Sequence, residues 1–223
     1  MSDKIYVAGH NGMVGSSIVR ALKKRGDSQI ITKQKSDLNL TNQDEVNLFF
    51  KEYRPKFVYI AAAKVGGINA NNKYRYDFIF ENLMIQNNLI NSAFKFGVEK
   101  LLFLGSACIY PQNANQPIKE ESLLSGPLEP TNEPYSIAKI AGIKLCQSLF
   151  QQHNVDFFSI MPNNLYGPND NFDLKTSHVL PALMRKIHEA KTNTADHVEI
   201  WGSGNPLREF MHVDDLADSC IFA

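Results

Sequence analysis

What this sequence has little of narrows its function before any motif is read. It carries only three cysteines, Cys108, Cys146 and Cys220, and their spacing fits neither a disulfide framework nor a metal site. An odd count of this kind favours a reducing compartment, and no metal is expected. Neither sign of charge is in excess: 23 Lys and Arg stand against 23 Asp and Glu, without a basic block. A nucleic-acid groove and a polybasic membrane surface are therefore disfavoured, and any anion site must be local. The opening MSDKIYVAGH sets charge beside a short apolar run, and it never reaches the length of a signal peptide or membrane span. A cytoplasmic location is the default expectation. Solenoid repeats and low-complexity tracts are also missing.

What is there is 223 residues, enough to bury roughly 70 per cent of the unfolded surface as one large domain, or one domain plus part of another. Apolar runs alternate between strand and helix periods. KIYVAG, QIIT, FVYIAAA, KLLFLG and VDFFSIMP read as strands. Between them, GSSIVRALKKRG reads as a helix with Ile18, Val19 and Leu22 inward, followed by NQDEVNLFFKEY and YSIAKIAGIKLCQSLFQQHN. A long helix over YDFIFENLMIQNNLINSAFKFG is predicted to turn Phe80, Leu83, Met84 and Leu89 toward the core. Such alternation with short joins predicts an α/β fold: a Rossmann-type, doubly wound parallel sheet with right-handed crossovers. Residues 1–165 are assigned to a nucleotide-binding domain. The pattern loosens beyond NNLYGPND, so 166–223 are read as the start of a smaller substrate-binding region, interleaved with the first. The closing DDLADSCIFA resembles an amphipathic helix without a capping Gly or Pro, from which a truncated region is expected.

GHNGMVG places Gly9, Gly12 and Gly15 between the first strand and the first helix. This is close to the dinucleotide fingerprint, in which one glycine makes the turn, one admits pyrophosphate against the backbone, and one allows tight helix packing. The helix N-terminus then offers free amides and a favourable dipole to a diphosphate; the structural alternative is glycines kept for packing alone. After the second strand, Lys33 and Lys35 can neutralise a ribose 2′-phosphate and favour NADP, or they are plain solvated charges. Asp37 keeps NAD open.

YSIAK puts Tyr135 and Lys139 four residues apart on one helical face. An ammonium beside the phenol is expected to lower its pKa. With Ser106 reaching in from a strand end, serine and tyrosine can hold a carbonyl oxygen, and tyrosine can give up its proton as hydride arrives. That is a reductase site. Cys108, in SACIYP, and His178 are surplus to it. On opposite faces of a sugar ring, a thiol and an imidazole could remove and return protons next to a ketone and so invert a centre; the alternatives are a core cysteine and a helix-capping histidine.

The stretches AGHNGMVGS, AAAKVGGI, GSACIYP, EPTNEPYSIAKIAGIKLC, NLYGPNDNF, SHVLPALMRKIHEA and VEIWGSGNPLREFMHVDD together resemble the GDP-L-fucose synthases of the extended short-chain dehydrogenase/reductase family. The resemblance implies an NADPH-dependent enzyme, typically a homodimer, that epimerises GDP-4-keto-6-deoxy-D-mannose at C3 and C5 and then reduces C4. Its catalytic set falls on Ser106, Cys108, Tyr135, Lys139 and His178. The implied coenzyme set is the loop Gly9, His10, Asn11, Gly12, Met13, Val14 and Gly15, with Lys33, Lys35, Asn39, Ala62, Lys139, Asn163, Asn164 and His178. Substrate contacts are implied at Asn164, Lys186, Trp201 and Arg208. Three positions depart from the family: Asn11 and Lys35 stand where arginines are usual, and Ala107 replaces a serine. Nucleotide-sugar 4-epimerases, 4,6-dehydratases and a non-catalytic dinucleotide-binding module are the competing readings. The dehydratases would want an acid pair that SACIYP lacks.

Overall fold

The computed structural model describes residues 3–223. Met1 and Ser2, which open the stretch read above for a leader, lie outside the described residues. In chain order the elements are β1 (Ile5–Ala8), α1 (Met13–Arg25), β2 (Ile30–Ile31), α2 (Gln43–Tyr53), β3 (Phe57–Ile60), α3 (Ile68–Lys73), α4 (Arg75–Lys95), β4 (Lys100–Leu104), α5 (Glu133–His153), β5 (Asp156–Ile160), β6 (Asn164–Tyr166), α6 (Val179–Thr192), β7 (Phe210–His212) and α7 (Val213–Phe222). Five strands form one parallel sheet in the order β2-β1-β3-β4-β5. The chain leaves β1 for β2 on one side and then crosses to β3 on the other. This reversal opens a crevice at the carboxyl ends of β1 and β3, where open sheets of this kind bind ligands.

The sheet is covered on both faces, which explains the continuous apolar runs of its strands. Tyr6 and Ala8 of β1 and Leu101 and Phe103 of β4 face α2, α4 and α5 through Val46, Phe50, Leu89, Ile90 and Ile143. Their alternates Ile5, Val7, Leu102 and Leu104 face α1 and α7 through Ile18, Leu22, Leu216 and Ala217. Each fully buried large side chain contributes about 1.5–3 kcal/mol, so these two layers carry the fold. The three-layer arrangement is a Rossmann-type α/β fold.

Several expectations are corrected. Leu89 is buried, but Phe80 is 47 per cent exposed and Leu83 and Met84 are only half-buried. The inward face of α4 instead carries Asn82, Gln86 and Asn88. Each of these amides bonds backbone that a leucine could not satisfy: Asn82 reaches the Lys64 loop, Gln86 donates to the Ala138 carbonyl at 2.6 Å, and Asn88 to the Leu40 carbonyl at 2.9 Å. A second, two-stranded sheet of β6 and β7 was not foreseen. Its strand β6 straddles the boundary drawn at 165/166, and α7 returns to pack on α1, where Ser17 donates to the carbonyl of Val213 at 3.2 Å.

Candidate active site

The loop after β1 is shaped by contacts that leave no room for side chains. Gly9 has φ +86°, and a Cβ there would lie 2.7 Å from the Ala62 nitrogen; a Cβ on Gly15 would lie 2.1 Å from the Gly9 carbonyl oxygen. At Gly12 the nearest atom would be 3.5 Å away, so its surface is open to a ligand. Gly12 caps α1 without a side-chain hydrogen bond, and the first turn holds no acid. Amides of Met13, Val14 and Gly15 at that end are aligned with the helix dipole and suit a diphosphate. Ala62, at the carboxyl end of β3, forms the opposite wall. The residues therefore fit a dinucleotide.

The adenosine side of this cradle is less simple. Lys33 is not a free cation: its Nζ donates to the Tyr53 hydroxyl at 2.7 Å and lies 4.4 Å from that ring's centroid. This hydrogen bond raises its pKa. Lys35 is exposed, and Asn11 reaches across to Gln34, Nδ2 to Oε1 at 3.4 Å. The side-chain oxygen of Asn39 accepts from the Thr41 amide and hydroxyl. His10 is half-buried beside Asn11.

At the end of β4 the chain turns sharply. Ser106 caps a single turn of 3-10 helix over Ala107–Ile109, its Oγ accepting from the Cys108 amide at 3.4 Å. The turn is tied to the end of β5 through the Ala107 amide and the Pro162 carbonyl at 3.1 Å. Behind it, α5 comes close to β4 because Gly142 has no side chain; a Cβ there would lie 2.6 Å from the Phe103 ring. That approach lets Lys139, 4 per cent exposed, donate to the Leu104 carbonyl at 2.7 Å. The Ser106 side chain lies beside the Tyr135 phenol and favours its ionised form. Serine, tyrosine and lysine are thus brought together.

The electrostatics correct one expectation. Burial holds the Tyr135 phenol far above its ordinary value, a nearby charge on Cys108 adds to the effect, and only the Ser106 hydrogen bond opposes them. Burial likewise lowers Lys139 to about 8, with Cys108 working against it. The lysine lies 5.7 Å from the Tyr135 ring centroid and points at the backbone, so it does not draw the phenol toward ionisation. Burial thus favours the neutral phenol at Tyr135.

Cys108 is partly exposed and unpaired. Its carbonyl accepts from Ser136 Oγ at 2.9 Å, which fixes the turn to the helix carrying Tyr135. His178 precedes α6 and stands open to solvent on one side. Surrounding protein disfavours its charged form, and the Asp170 carboxylate partly offsets this. Asp170 itself is raised by burial. Neither Ser136 nor Asp170 was singled out from sequence, although both sit inside stretches quoted above. A hydroxyl or carboxylate that acts across two elements has no periodic signature.

The remaining predicted residues form a looser rim. Asn163 donates to the Glu209 carboxylate and Asn164 to the Glu209 carbonyl at 3.0 Å, joining β6 to the segment before β7. Lys186 and Trp201 are brought together, with Nζ 4.4 Å from the indole centroid. Arg208 is exposed and donates to the Leu207 carbonyl. Among the described residues no cluster of His, Cys, Asp or Glu could hold a metal, and no helix is long and apolar enough to cross a membrane.

Residues 5–223 match the model of the NAD dependent epimerase/dehydratase family. The chain belongs to that family. Within this epimerase/dehydratase family, it is 62 per cent identical over 221 residues to putative GDP-L-fucose synthase 2 of Arabidopsis thaliana, a match covering 99 per cent of the chain and 67 per cent of the relative. Against GDP-L-fucose synthase of Escherichia coli K12 it is 56 per cent identical, covering 98 and 68 per cent. A crystal structure of a GDP-L-fucose synthetase from Naegleria fowleri bound to NADP superposes with a TM-score of 0.88 at 32 per cent identity, covering 99 per cent of this chain and 72 per cent of the other.

Proposed function

We propose that this protein is a GDP-L-fucose synthase, converting GDP-4-keto-6-deoxy-D-mannose to GDP-L-fucose with NADPH. The observation that carries the reading is the joining of two kinds of proton chemistry at one strand end. Ser106 and Tyr135 offer hydroxyls for a ketone oxygen, and Cys108 stands two residues beyond the serine on the same turn.

Ketone chemistry explains why one site needs both. A carbonyl at C4 delocalises the charge left when a proton departs from C3 or C5, so weak bases suffice there. The Cys108 thiol and the His178 imidazole exchange these protons from opposite sides, and Asp170 supports charge on the imidazole. Ser106 holds the ketone oxygen throughout. Tyr135, kept neutral by burial, then delivers a proton to that oxygen; NADPH, when bound, supplies the hydride. Lys139, held on the Leu104 carbonyl, keeps the coenzyme side of the pocket positively charged. In this reading the Gly9–Gly15 loop and Ala62 receive the coenzyme's diphosphate half. Lys35 with Asn11 lies toward a 2′-phosphate, and Asn39, Asn163 and Asn164 border the pocket. Lys186 and Arg208 oppose the substrate diphosphate, with Trp201 as a packing surface.

A homodimer and a cytoplasmic location belong to the same proposal. Tyr76 and Phe80, one turn apart on α4, stack with centroids 5.4 Å apart while 70 and 47 per cent exposed. A second copy covering this face would remove that apolar surface from water. All three cysteines are unpaired, as suits a reducing compartment.

The test is incubation of the protein with the 4-keto nucleotide sugar and NADPH, with the product's stereochemistry identified. GDP-L-fucose formed in proportion to NADPH consumed supports the proposal. A C4-reduced sugar with unaltered C3 and C5 would contradict it.

A further inference from the structure

The loop leaving β3 joins the two ends of this site. At one end Ala62 abuts Gly9 in the nucleotide cradle. At the other, the Gly67 amide donates to the Thr176 carbonyl at 2.8 Å, two residues before His178. The approach is tight: a Cβ on Gly67 would lie 2.3 Å from the Ser177 carbonyl oxygen. Phe78 lines the same wall, since a Cβ on neighbouring Gly66 would be 3.2 Å from its ring, and that ring meets the Tyr135 ring edge-on at 6.4 Å.

Two buried amides hold this loop in shape. Asn82 clamps Lys64, accepting from its amide at 2.8 Å and donating to its carbonyl at 3.0 Å. Asn71, 6 per cent exposed, donates from Nδ2 to the Gly66 carbonyl at 2.6 Å and the Gly67 carbonyl at 3.1 Å. Stability alone does not account for the arrangement, because Asn71 Oδ1 and Ser177 Oγ are buried at this contact with no hydrogen-bond partner among the described residues. The segment leading to His178 is tied by its own hydrogen bonds: Asp173 Oδ1 accepts from the Thr176 amide and hydroxyl, and the Ser177 amide donates to the Asp173 carbonyl at 2.8 Å. A shift of Gly67 therefore carries through to His178.

We infer that Asn71 is a positioning residue for proton transfer: by holding the Gly66 and Gly67 carbonyls it docks the β3–α3 loop on Thr176 and sets His178 relative to the nucleotide cradle. The inference rests on the proton-transfer role given to His178 above. It adds that this role depends on a residue outside the pocket, and that the spacing between coenzyme and imidazole is held by one loop.

The experiment compares the wild-type protein first with two variants, Asn71→Ala and Asn71→Asp, the second of which keeps the shape but loses the Nδ2 donors. Solvent deuterium entering the 4-keto sugar in the absence of NADPH is expected to slow about ten-fold or more in both variants, as misplacement of a reacting group predicts. The effect should fall on kcat, with KM and NADPH affinity within about two-fold of wild type. Hydrogen exchange of backbone amides supplies a second readout that needs no activity. Peptides over 61–71 and 173–182 should lose protection in the variants while those over 5–25 do not. Asn71→Ser offers a milder truncation, and Gly67→Ala forces the same contact apart by a different route. Unchanged protection over 173–182 in every variant, wild-type behaviour of Asn71→Asp, or equal losses of deuterium entry and NADPH affinity would each overturn the inference. If wild type itself shows no deuterium entry, the proposed function fails, and amide protection still decides whether Asn71 places the His178 segment.

Discussion

The nucleotide cradle and the rim opposite it are built on different principles. Around β1, the proposed coenzyme contacts are made by backbone. Gly9 and Gly15 lie so close to neighbouring backbone, Ala62 included, that their positions are dictated by the absence of side chains, and β1 beneath them is fully buried. Along 161–212, the proposed substrate contacts are side chains on exposed segments: Trp201 is 62 per cent exposed, and within α6 the buried residue is Pro181. A site made of backbone is rigid and leaves a spacing pattern; a site made of exposed side chains is adjustable and leaves almost none.

The largest effects should come where the two regions meet. Tyr135→Phe removes the proposed proton donor, and turnover with NADPH should fall about 10³-fold with coenzyme affinity retained, measured by steady-state kinetics and fluorescence titration. Full turnover in that variant would detach the reductase role from α5. Gly15→Ala drives a Cβ into the Gly9 carbonyl, so NADPH affinity should drop by at least about ten-fold; Gly12→Ala, with its nearest neighbour at 3.5 Å, should fold normally, its methyl meeting only bound coenzyme. If both tolerate alanine equally, the cradle is not shaped by close approach.

The buried lysine gives a pH signature. Its folded pKa, about 8 against 10.5 when unfolded, means that the unfolded chain holds more protons between those values. Stability contributed at this position therefore rises with pH through that window, and its penalty is fully present below about pH 8. Relative to Lys139→Met, the wild type should gain on the order of 2 kcal/mol between pH 7.5 and 9.5, measurable by denaturant unfolding. The smallest effects are expected at the rim. Trp201→Ala should raise KM for the nucleotide sugar several-fold with kcat little changed, because an exposed indole adds binding without touching the ketone.

How far the sequence could be read follows the same division. The glycine spacing, the strand runs and the Tyr135–Lys139 pair were legible because each depends on a local period. The destination of Lys139 was not: helical spacing puts it on the face of Tyr135, but the Leu104 carbonyl that accepts its hydrogen bond is set by how closely Gly142 lets α5 approach. On α4, amides that bond loop backbone displaced Leu83 and Met84 from the inward face, so hydrophobic period alone misled. Lys33 can be read as a phosphate ligand or a solvated charge, and its hydrogen bond to Tyr53, twenty residues away, is visible only in the structure. The small β6–β7 sheet pairs segments too short and too distant in sequence to announce themselves.

Deuterium uptake by the 4-keto sugar, measured by mass spectrometry in heavy water without NADPH, tests the shared ketone most directly. Tyr135→Phe should still label C3 or C5 while forming no GDP-L-fucose once NADPH is added, whereas Cys108→Ser should lose labelling and keep NADPH affinity. Equal labelling in the two variants, whether kept or lost, would contradict a site in which separate groups serve one carbonyl.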